Sequence, residues 1–356
     1  MASVRDAAVA FKIWAVEHRL FSAQLGPTDT AIDPVVVRAV AQAFDIESQA
    51  VQKAVFARRV TLVAYNEADR QIRVYLNRGF TKTIDAKLPK RIADVEVAYF
   101  QGTIGQIGPV PTSLAPSPAY RTAAGKYTCG SSIFPGGRTG AGTLGAIINV
   151  ANQAVLFGLS NNHVAGQCNY SDLDHPIVAP GSIDIRAGFI DPFTIGHFAR
   201  SCPMQFGTPD NVPTAANLDA SIFSLKDVAN VSSYQGTFYD TPPNVVPMAD
   251  NLEVKKVGRT TGLTHGRVVG KLAGPIPVGV SVAELGLQSQ VYFENAWVVE
   301  GRAGAFSDRG DSGSLIVTED GTAAVGLLFA GDGSITLALP LQDVLAHFGA
   351  TLATGL

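Results

Sequence analysis

Gly310-Asp311-Ser312-Gly313-Ser314 is the stretch of this sequence that indicates most about its fold and chemistry. Two earlier motifs belong with it, Ser160-Asn161-Asn162-His163-Val164 and Asn217-Leu218-Asp219-Ala220-Ser221. A serine nucleophile needs a base to take its proton, and the base needs a carboxylate that fixes its tautomer. The three groups occur in the order His, Asp, Ser, one of the orders in which such a constellation is found. Both gaps along the chain are long enough to place the His and the Asp in one β-barrel and the Ser in the next.

Ser312 is the candidate nucleophile, and the glycines beside it have physical reasons. A turn at Gly310 allows its N–H and that of Ser312 to point at a developing oxyanion. Gly313 lets the chain turn tightly beside a substrate. A Gly-Asp-Ser-Gly string by itself also fits an ordinary β-turn, so the prediction depends on all three motifs together.

His163 and Asp219 are the candidate general base and orienting carboxylate. His163 follows the apolar run 155–159 and enters a polar turn, which puts it at a strand end where a rigid scaffold presents a side chain. Asp219 lies in the apolar stretch 218–223, where a charge is costly unless it is hydrogen-bonded. His175, His197 and His265 lack such a context and are interpreted as structural.

The composition predicts a turn-rich β protein with a substantial core. The chain has 356 residues, which suits one large domain plus an extension. It is 46% hydrophobic and 16% charged, with 36 Gly and 20 Pro. The net charge of −3 and the lack of a basic run argue against nucleic acid and against an anionic membrane surface. No segment reaches the ~18 apolar residues of a transmembrane helix.

The amino-terminal region and the cysteines predict a cytoplasmic protein. Residues 1–25 alternate charged with apolar residues, unlike a signal peptide. Cys129, Cys168 and Cys202 are an odd number and widely spaced, so we expect reduced thiols rather than disulfides or metal ligands. The run 140–145 matches the dinucleotide fingerprint G-x-G-x-x-G, but a strand-like stretch follows it instead of a helix. No cofactor and no metal are therefore predicted.

The pattern along the chain predicts three parts. Residues 1–58 form a helical extension, with helices over 5–24, from Asp33 as N-cap to Phe44, and less clearly over 47–58. Residues 59–118 form a small β region that ends in a Gly- and Pro-rich linker. The main domain covers 119–356 and closes with a helix over 341–348. The apolar faces of the first helices either pack on the main domain or bind a partner or a second copy of the chain, and the sequence leaves both open.

Residues 120–348 resemble trypsin-like serine peptidases with the chymotrypsin fold, and more narrowly an intracellular group of bacteria and plants that includes NARROW LEAF-like proteins. The matching residues are the three motifs above together with 142–145 and the run Val257-Gly258-Arg259-Thr260-Thr261-Gly262. The resemblance implies a mainly β fold of two antiparallel barrels, a triad of His163, Asp219 and Ser312, and an oxyanion hole formed by the N–H groups of Gly310 and Ser312. Residues 60–105 resemble the small β region that precedes the peptidase in that group, whereas the first ~58 residues are not covered.

Several positions depart from the secreted members of this family. Val164 follows the candidate His where those members have a cysteine, which fits a reducing compartment. Their zymogens release a new amino terminus that pairs with the Asp beside the nucleophile; Asp311 is present, but no cleavage site is evident. The residue six before the nucleophile lies at the bottom of the primary pocket in the family. Here it is Phe306, which argues against Lys or Arg in the substrate, while Asp308 and Asp332 are close enough in sequence to reach the pocket walls.

These observations predict a serine endopeptidase that hydrolyses protein or peptide substrates through an acyl-enzyme. Two alternatives stay open: a catalytically silent or latent protein that keeps the fold for interactions, and an esterase or acyl transferase that uses the same triad. A weaker hypothesis assigns the first helices a sensing role in a stress or defence pathway.

Overall fold

Strands make up most of the regular structure. The structure, a computed structural model, describes residues 3–29, 32–44, 59–108, 125–185, 193–331 and 333–356. The helix predicted over 47–58, most of the predicted linker and Asp332 lie outside these residues. None of the described helices is long and apolar enough to cross a membrane.

The amino-terminal part packs on the rest of the chain. Its elements are α1 (Val4–Glu17), α2 (Pro34–Ala43), β1 (Val60–Asn66), β2 (Gln71–Leu76), α3 (Lys82–Asp85), β3 (Arg91–Ile92) and β4 (Val95–Gln101). Helix α1 contacts α2, β1 and β2. It also carries Lys12, whose buried ammonium pairs with Asp29 at 2.8 Å. The apolar face of α1 is therefore covered by the chain itself, and self-association through these helices stays a prediction.

The first barrel is an open sheet. Its strands, in spatial order, are β24 (Ala350–Leu352), β8 (Ala146–Val150), β9 (Leu156–Ser160), β12 (Ser221–Leu225), β11 (Phe193–Ser201), β10 (Pro176–Ala179), β6 (Ser132–Pro135) and β7 (Gly142–Thr143). The short helix α4 (Asn162–Ala165) follows β9 directly. A small sheet of β5 (Tyr127–Cys129), β13 (Val231–Gln235) and β14 (Tyr239–Asp240) lies beside it in the pairing order β14-β13-β5. The sheet forms a half-barrel.

The second barrel is closed. Six strands follow one another as β16 (Glu253–Gly258), β21 (Leu315–Thr318), β22 (Ala323–Gly331), β23 (Thr336–Pro340), β20 (Trp297–Gly301) and β17 (Gly262–Leu272), and β17 pairs back with β16. The other elements are β15 (Asn244–Val245) beside β22, the hairpin of β18 (Ile276–Val282) with β19 (Leu287–Phe293), and α5 (Leu341–Phe348). The fold is thus a mainly β, chymotrypsin-like pair of antiparallel barrels, as predicted.

The small β region continues the sheet of the second barrel. Strand β1 pairs with β17, and β2, β4 and β3 follow outward. Arg73 on β2 binds Glu300 on β20 at 2.8 Å and stacks on the ring of Phe100 at 3.9 Å. Main-chain pairing and this half-buried ion pair together attach the region firmly to the barrel.

Most predicted elements are confirmed, with small shifts at their ends. The helix from Asp33 occurs as α2, with the Asp33 carboxylate accepting from Val35 N at 2.8 Å, and the closing helix is α5. The first helix, predicted over 5–24, ends earlier, at Glu17. Arg19 then adopts a left-handed φ of 58°, which a continuing helix does not allow. The boundaries of the three predicted parts stay a prediction.

Candidate active site

Two neighbouring strands of the first barrel bring His163 and Asp219 together. Strands β9 and β12 run antiparallel, with Ser160 opposite Ser221. His163 comes just after the end of β9 and Asp219 just before the start of β12, so both lie at the same end of this strand pair. Asp219 therefore lies immediately outside the strand that the sequence predicted around it.

The His163 ring is held by a buried carboxylate. Its Nδ1 lies 2.5 Å from Oδ2 of Asp219, and the backbone N–H of His163 donates to Oδ1 at 2.9 Å. Asp219 is fully buried. A carboxylate oxygen accepts hydrogen bonds, so this contact places the ring proton on Nδ1 and leaves Nε2 as the acceptor. Asn161 fixes the same segment by donating its side-chain N–H to the Asp219 carbonyl at 2.6 Å.

Ser312 lies in a turn that both barrels hold. Its carbonyl accepts from Thr143 N of the first barrel at 2.8 Å. The next N–H, that of Gly313, donates to the carbonyl of Leu328 on β22 at 2.9 Å. Gly313 has a φ of 97°, and an added Cβ would lie 2.3 Å from the Thr143 carbonyl oxygen, so only glycine fits this position.

A cavity between the barrels connects these groups. Its volume is about 320 Å³, and His163, Gly310 and Ser312 line it together with the end of β22. In the described part of the chain no hydrogen bond links the Ser312 hydroxyl to the His163 ring. Such hydrogen bonds are often long before a substrate binds. The sequence-predicted nucleophile and base therefore face the same space.

The turn also orients two backbone N–H groups. The Arg309 carbonyl accepts from Thr260 Oγ1 at 2.7 Å, and the Asp311 carbonyl accepts from Ser314 Oγ at 2.6 Å. A trans peptide is planar, with its C=O and N–H on opposite sides. The N–H groups of Gly310 and Ser312 thus point away from these partners, and within the described residues neither donates to a protein acceptor. Both residues line the cavity.

Asp311 has a buried cation as its partner. Lys256 on β16 places Nζ 3.2 Å from the Asp311 carboxylate, and both side chains are fully buried. The carboxylate also accepts from the Thr260 N–H at 2.7 Å and from the Thr261 hydroxyl at 2.6 Å. Burial lowers the pKa of Lys256, and the charge of Asp311 opposes that shift. Lys256 thus supplies, from within the chain, a buried positive charge beside the turn that carries Ser312.

The predicted pocket residues occupy different places. Asp308 lines the cavity. Phe306 does not, because its side chain is 1% exposed and packs in the core of the second barrel, where Gly266 leaves room for the ring. The neighbouring Ser307 lines the cavity instead, and its Oγ lies 2.6 Å from Thr336 Oγ1 on β23.

Two of the histidines interpreted as structural have side-chain partners away from the cavity. His175 Nε2 lies 2.9 Å from the Gly136 carbonyl oxygen, and the exposed His265 lies 2.8 Å from Glu319. Neither residue lines the cavity, which agrees with their structural interpretation. Among the described residues, no group of three His, Cys, Asp or Glu side chains is placed to hold a metal ion.

Sequence reasoning did not identify the residues that hold the turn carrying Ser312, either directly or through one another. These residues are Lys256, Thr143, Asp184, Arg259 and Thr260. A signal for Lys256 was present: strand alternation places it on the same side of β16 as the buried Val254. Thr143 was noticed only within the matching run 142–145, and Arg259 and Thr260 only within a second matching motif. Their partners Asp184 and Arg309 are distant in sequence, and nothing local predicts that they meet.

Comparisons with known proteins give only distant structural likenesses. No protein-family model matches the chain, and no curated protein matches it. Thermobifida fusca Protease A is 18% identical with a TM-score of 0.41, and the match covers 64% of this chain and 98% of that one. A glutamic acid specific serine protease that uses a histidine triad in substrate binding is 21% identical with a TM-score of 0.40, covering 64% and 100%. The Nocardiopsis protease NAPase is 18% identical with a TM-score of 0.41, covering 64% and 98%.

Proposed function

We propose that this chain is a serine endopeptidase that hydrolyses peptide bonds through an acyl-enzyme. Ser312 Oγ attacks the substrate carbonyl carbon while His163 Nε2 takes its proton. Asp219 holds the ring in the required tautomer and stabilises the imidazolium. The N–H groups of Gly310 and Ser312 bind the oxyanion of the tetrahedral intermediate. His163 then gives the proton to the leaving amine, and a water molecule repeats the sequence on the ester.

One observation carries the proposal: a buried carboxylate fixes His163 at a cavity that Ser312 also lines. The N–H groups of Gly310 and Ser312, which have no acceptor among the described residues, lie at the same cavity. A hydroxyl, a base with a free acceptor nitrogen and paired donors are the three parts that acyl transfer needs. The cleft opens between two barrels, so an extended peptide is the substrate form that fits it best.

The test compares the wild type with Ser312→Ala. A fluorophosphonate reacts only with an activated serine, and we expect labelling of the wild type and none of the variant. Hydrolysis of an unfolded protein and of a small activated ester should be lost with it. Labelling without hydrolysis of the protein would favour the esterase alternative. A variant that retains wild-type proteolysis would eliminate the mechanism.

A cytoplasmic location is part of the same proposal. Its support is that Cys129, Cys168 and Cys202 are all buried and unpaired with one another. Burial raises the pKa of Cys129 and Cys202 to about 12, so these thiols stay protonated and poorly reactive. Fractionation of the cells that produce the protein would test the location.

A further inference from the structure

A chain of hydrogen bonds runs from the first barrel to the peptide between Arg309 and Gly310. Asp184, in the first barrel, binds Arg259 through two contacts, from Nε to Oδ2 and from Nη2 to Oδ1, each 2.5 Å. Arg259 Nη1 donates to Thr260 Oγ1 at 2.9 Å. Thr260 Oγ1 in turn donates to the Arg309 carbonyl at 2.7 Å. We call Asp184, Arg259 and Thr260 the relay.

The hydrogen bonds of the relay can have only one donor-to-acceptor order, from Arg259 through Thr260 to the Arg309 carbonyl. A guanidinium has donors and no acceptor, so the Thr260 oxygen must accept from Arg259. The hydroxyl has a single proton, and that proton is then directed to the Arg309 carbonyl. Because the peptide is planar, fixing this carbonyl fixes the Gly310 N–H on the opposite side.

This peptide needs an external restraint because of the residue that follows it. Gly310 has a φ of 98°, and glycine adopts positive and negative φ about equally readily. A rotated peptide would place the Arg309 carbonyl where the Gly310 N–H now lies and would remove one of the two donors. An added Cβ at Gly310 would lie 2.4 Å from Arg259 Nη1, so the guanidinium packs directly on this residue.

The relay is rigid at its far end. Arg259 is 4% exposed and Asp184 is 8% exposed. Ser132 Oγ donates to the same carboxylate at 2.5 Å. A two-point contact between a planar guanidinium and a carboxylate restrains both distance and angle. The position of Asp184 in the first barrel is thereby transmitted to a turn of the second.

We propose that Thr260 is a positioning residue of the active site and that the Asp184–Arg259 pair holds it in its working orientation. The relay selects the orientation of the Arg309–Gly310 peptide in which the Gly310 N–H faces the cavity. The two barrels must therefore be correctly apposed before the oxyanion hole is complete. The inference rests on the proposed function, which it extends to a specific support for the hole.

The experiment compares three variants in the full chain. Thr260→Val removes the hydroxyl and keeps the shape, whereas Thr260→Ser keeps the hydroxyl. Thr241→Val is the matched control, because Thr241 Oγ1 accepts from Gln235 Nε2 at 2.9 Å and donates to a buried carbonyl at 2.6 Å, without lining the cavity. Thermal unfolding shows whether Thr260→Val and Thr241→Val lose similar stability.

We expect Thr260→Val to lower kcat about 10- to 100-fold, since complete loss of one oxyanion donor costs about 10²–10³-fold. KM should change less than about twofold, because the hole acts on the transition state. The affinity for a peptide boronic acid, which forms a tetrahedral adduct, should fall by the same factor as kcat. Thr260→Ser should recover most of this loss, and Thr241→Val should show no change in kcat.

Two kinetic results would overturn the inference: equal kcat values for Thr260→Val and Thr241→Val, or equal losses of kcat for Thr260→Val and Thr260→Ser. A wild type that a fluorophosphonate does not label would instead contradict the proposed function. Crystal structures of the wild type and Thr260→Val separate the two cases, since they read the peptide orientation without activity. A rotated or mixed Arg309–Gly310 peptide in the variant supports the inference, and an unchanged peptide refutes it.

Discussion

Replacing Lys256 by Met tests whether a buried cation holds the nucleophile turn. The substitution keeps most of the side-chain volume but leaves the Asp311 carboxylate without its positive partner 3.2 Å away. Both side chains are fully buried, so water cannot replace the ammonium. We expect lower stability together with lower activity, because Asp311 is the residue between Gly310 and Ser312.

The contacts of the carboxylate set the size of the effect. Removing one partner of a buried ion pair costs about 3–5 kcal/mol. Asp311 retains four neutral donors: the N–H groups of Asp308, Thr260 and Thr261 and the Thr261 hydroxyl. Burial also lowers the pKa of Lys256, so part of the lost attraction is offset by the desolvation that Met avoids. We therefore expect Lys256→Met to reduce the free energy of unfolding by about 3 kcal/mol, the lower end of that range.

Stability of Lys256→Met is measured by thermal and urea unfolding, and its activity by hydrolysis of a small ester. At about 2–4 °C per kcal/mol, the Tm should fall by about 6–12 °C. Lys255→Met is the matched control, since the neighbouring side chain is only half-buried and its Nζ lies 4.6 Å from the Tyr239 ring centroid. That variant should lose no more than about 1 kcal/mol. Adding Asp311→Asn to Lys256→Met should restore part of the stability, because the unpaired charge is then gone.

Two outcomes would refute this reasoning. If Lys256→Met unfolded at the same temperature as Lys255→Met, the neutral donors alone would be sufficient for Asp311. If the second substitution, Asp311→Asn, lowered the stability of Lys256→Met further, the loss would not come from an unpaired carboxylate. Either result would remove Lys256 from the account of how the turn is held.

Three further predictions concern Asp219, Gly310 and Cys129. Asp219→Asn should lower kcat about 10³–10⁴-fold in the ester assay, because an amide can neither enforce the required His tautomer nor stabilise the imidazolium; a loss below tenfold would speak against its role. Gly310→Ala should destabilise the protein by more than about 2 kcal/mol in urea and abolish hydrolysis, since the new Cβ would lie 2.4 Å from Arg259 Nη1. Gly286→Ala, at a φ of 61° with nothing within 4 Å, should leave hydrolysis intact. Cys129→Val tests the thiol whose pKa burial raises to about 12. The unfolded chain loses this proton first, so stability should fall as pH rises from about 9 towards 12, by about 1.4 kcal/mol per pH unit more in the wild type than in the variant. Parallel slopes in urea unfolding at pH 8 to 10.5 would contradict it.

Local signals in the sequence were enough for most of the helices and strands and for the choice of candidate chemical groups. The Asp33 N-cap, the alternation in β1 and β2 and the closing helix α5 are short-range patterns, and each element occurs where the pattern predicted it. His163 was distinguished from the other histidines because it follows an apolar strand, and the structure places it at the end of that strand. Patterns of this kind depend on residues within a few positions of one another, which is why a sequence displays them.

The partners of the buried charges and the packing of Phe306 depend on contacts between distant parts of the chain. Lys256 and Asp311 are 55 residues apart, and Arg259 and Asp184 are 75 apart, so no local pattern predicts either pair. Phe306 was assigned to the pocket by its offset from Ser312, but Gly266 on a different strand provides the space that receives its ring. The sequence by itself determined which groups were candidates for the proposed chemistry and placed His163 just after a strand, but it placed Asp219 inside a strand that in fact begins at Ser221. Only the tertiary structure determined what orients them, because buried charges and backbone carbonyls find their partners when the closed second barrel packs against the half-barrel.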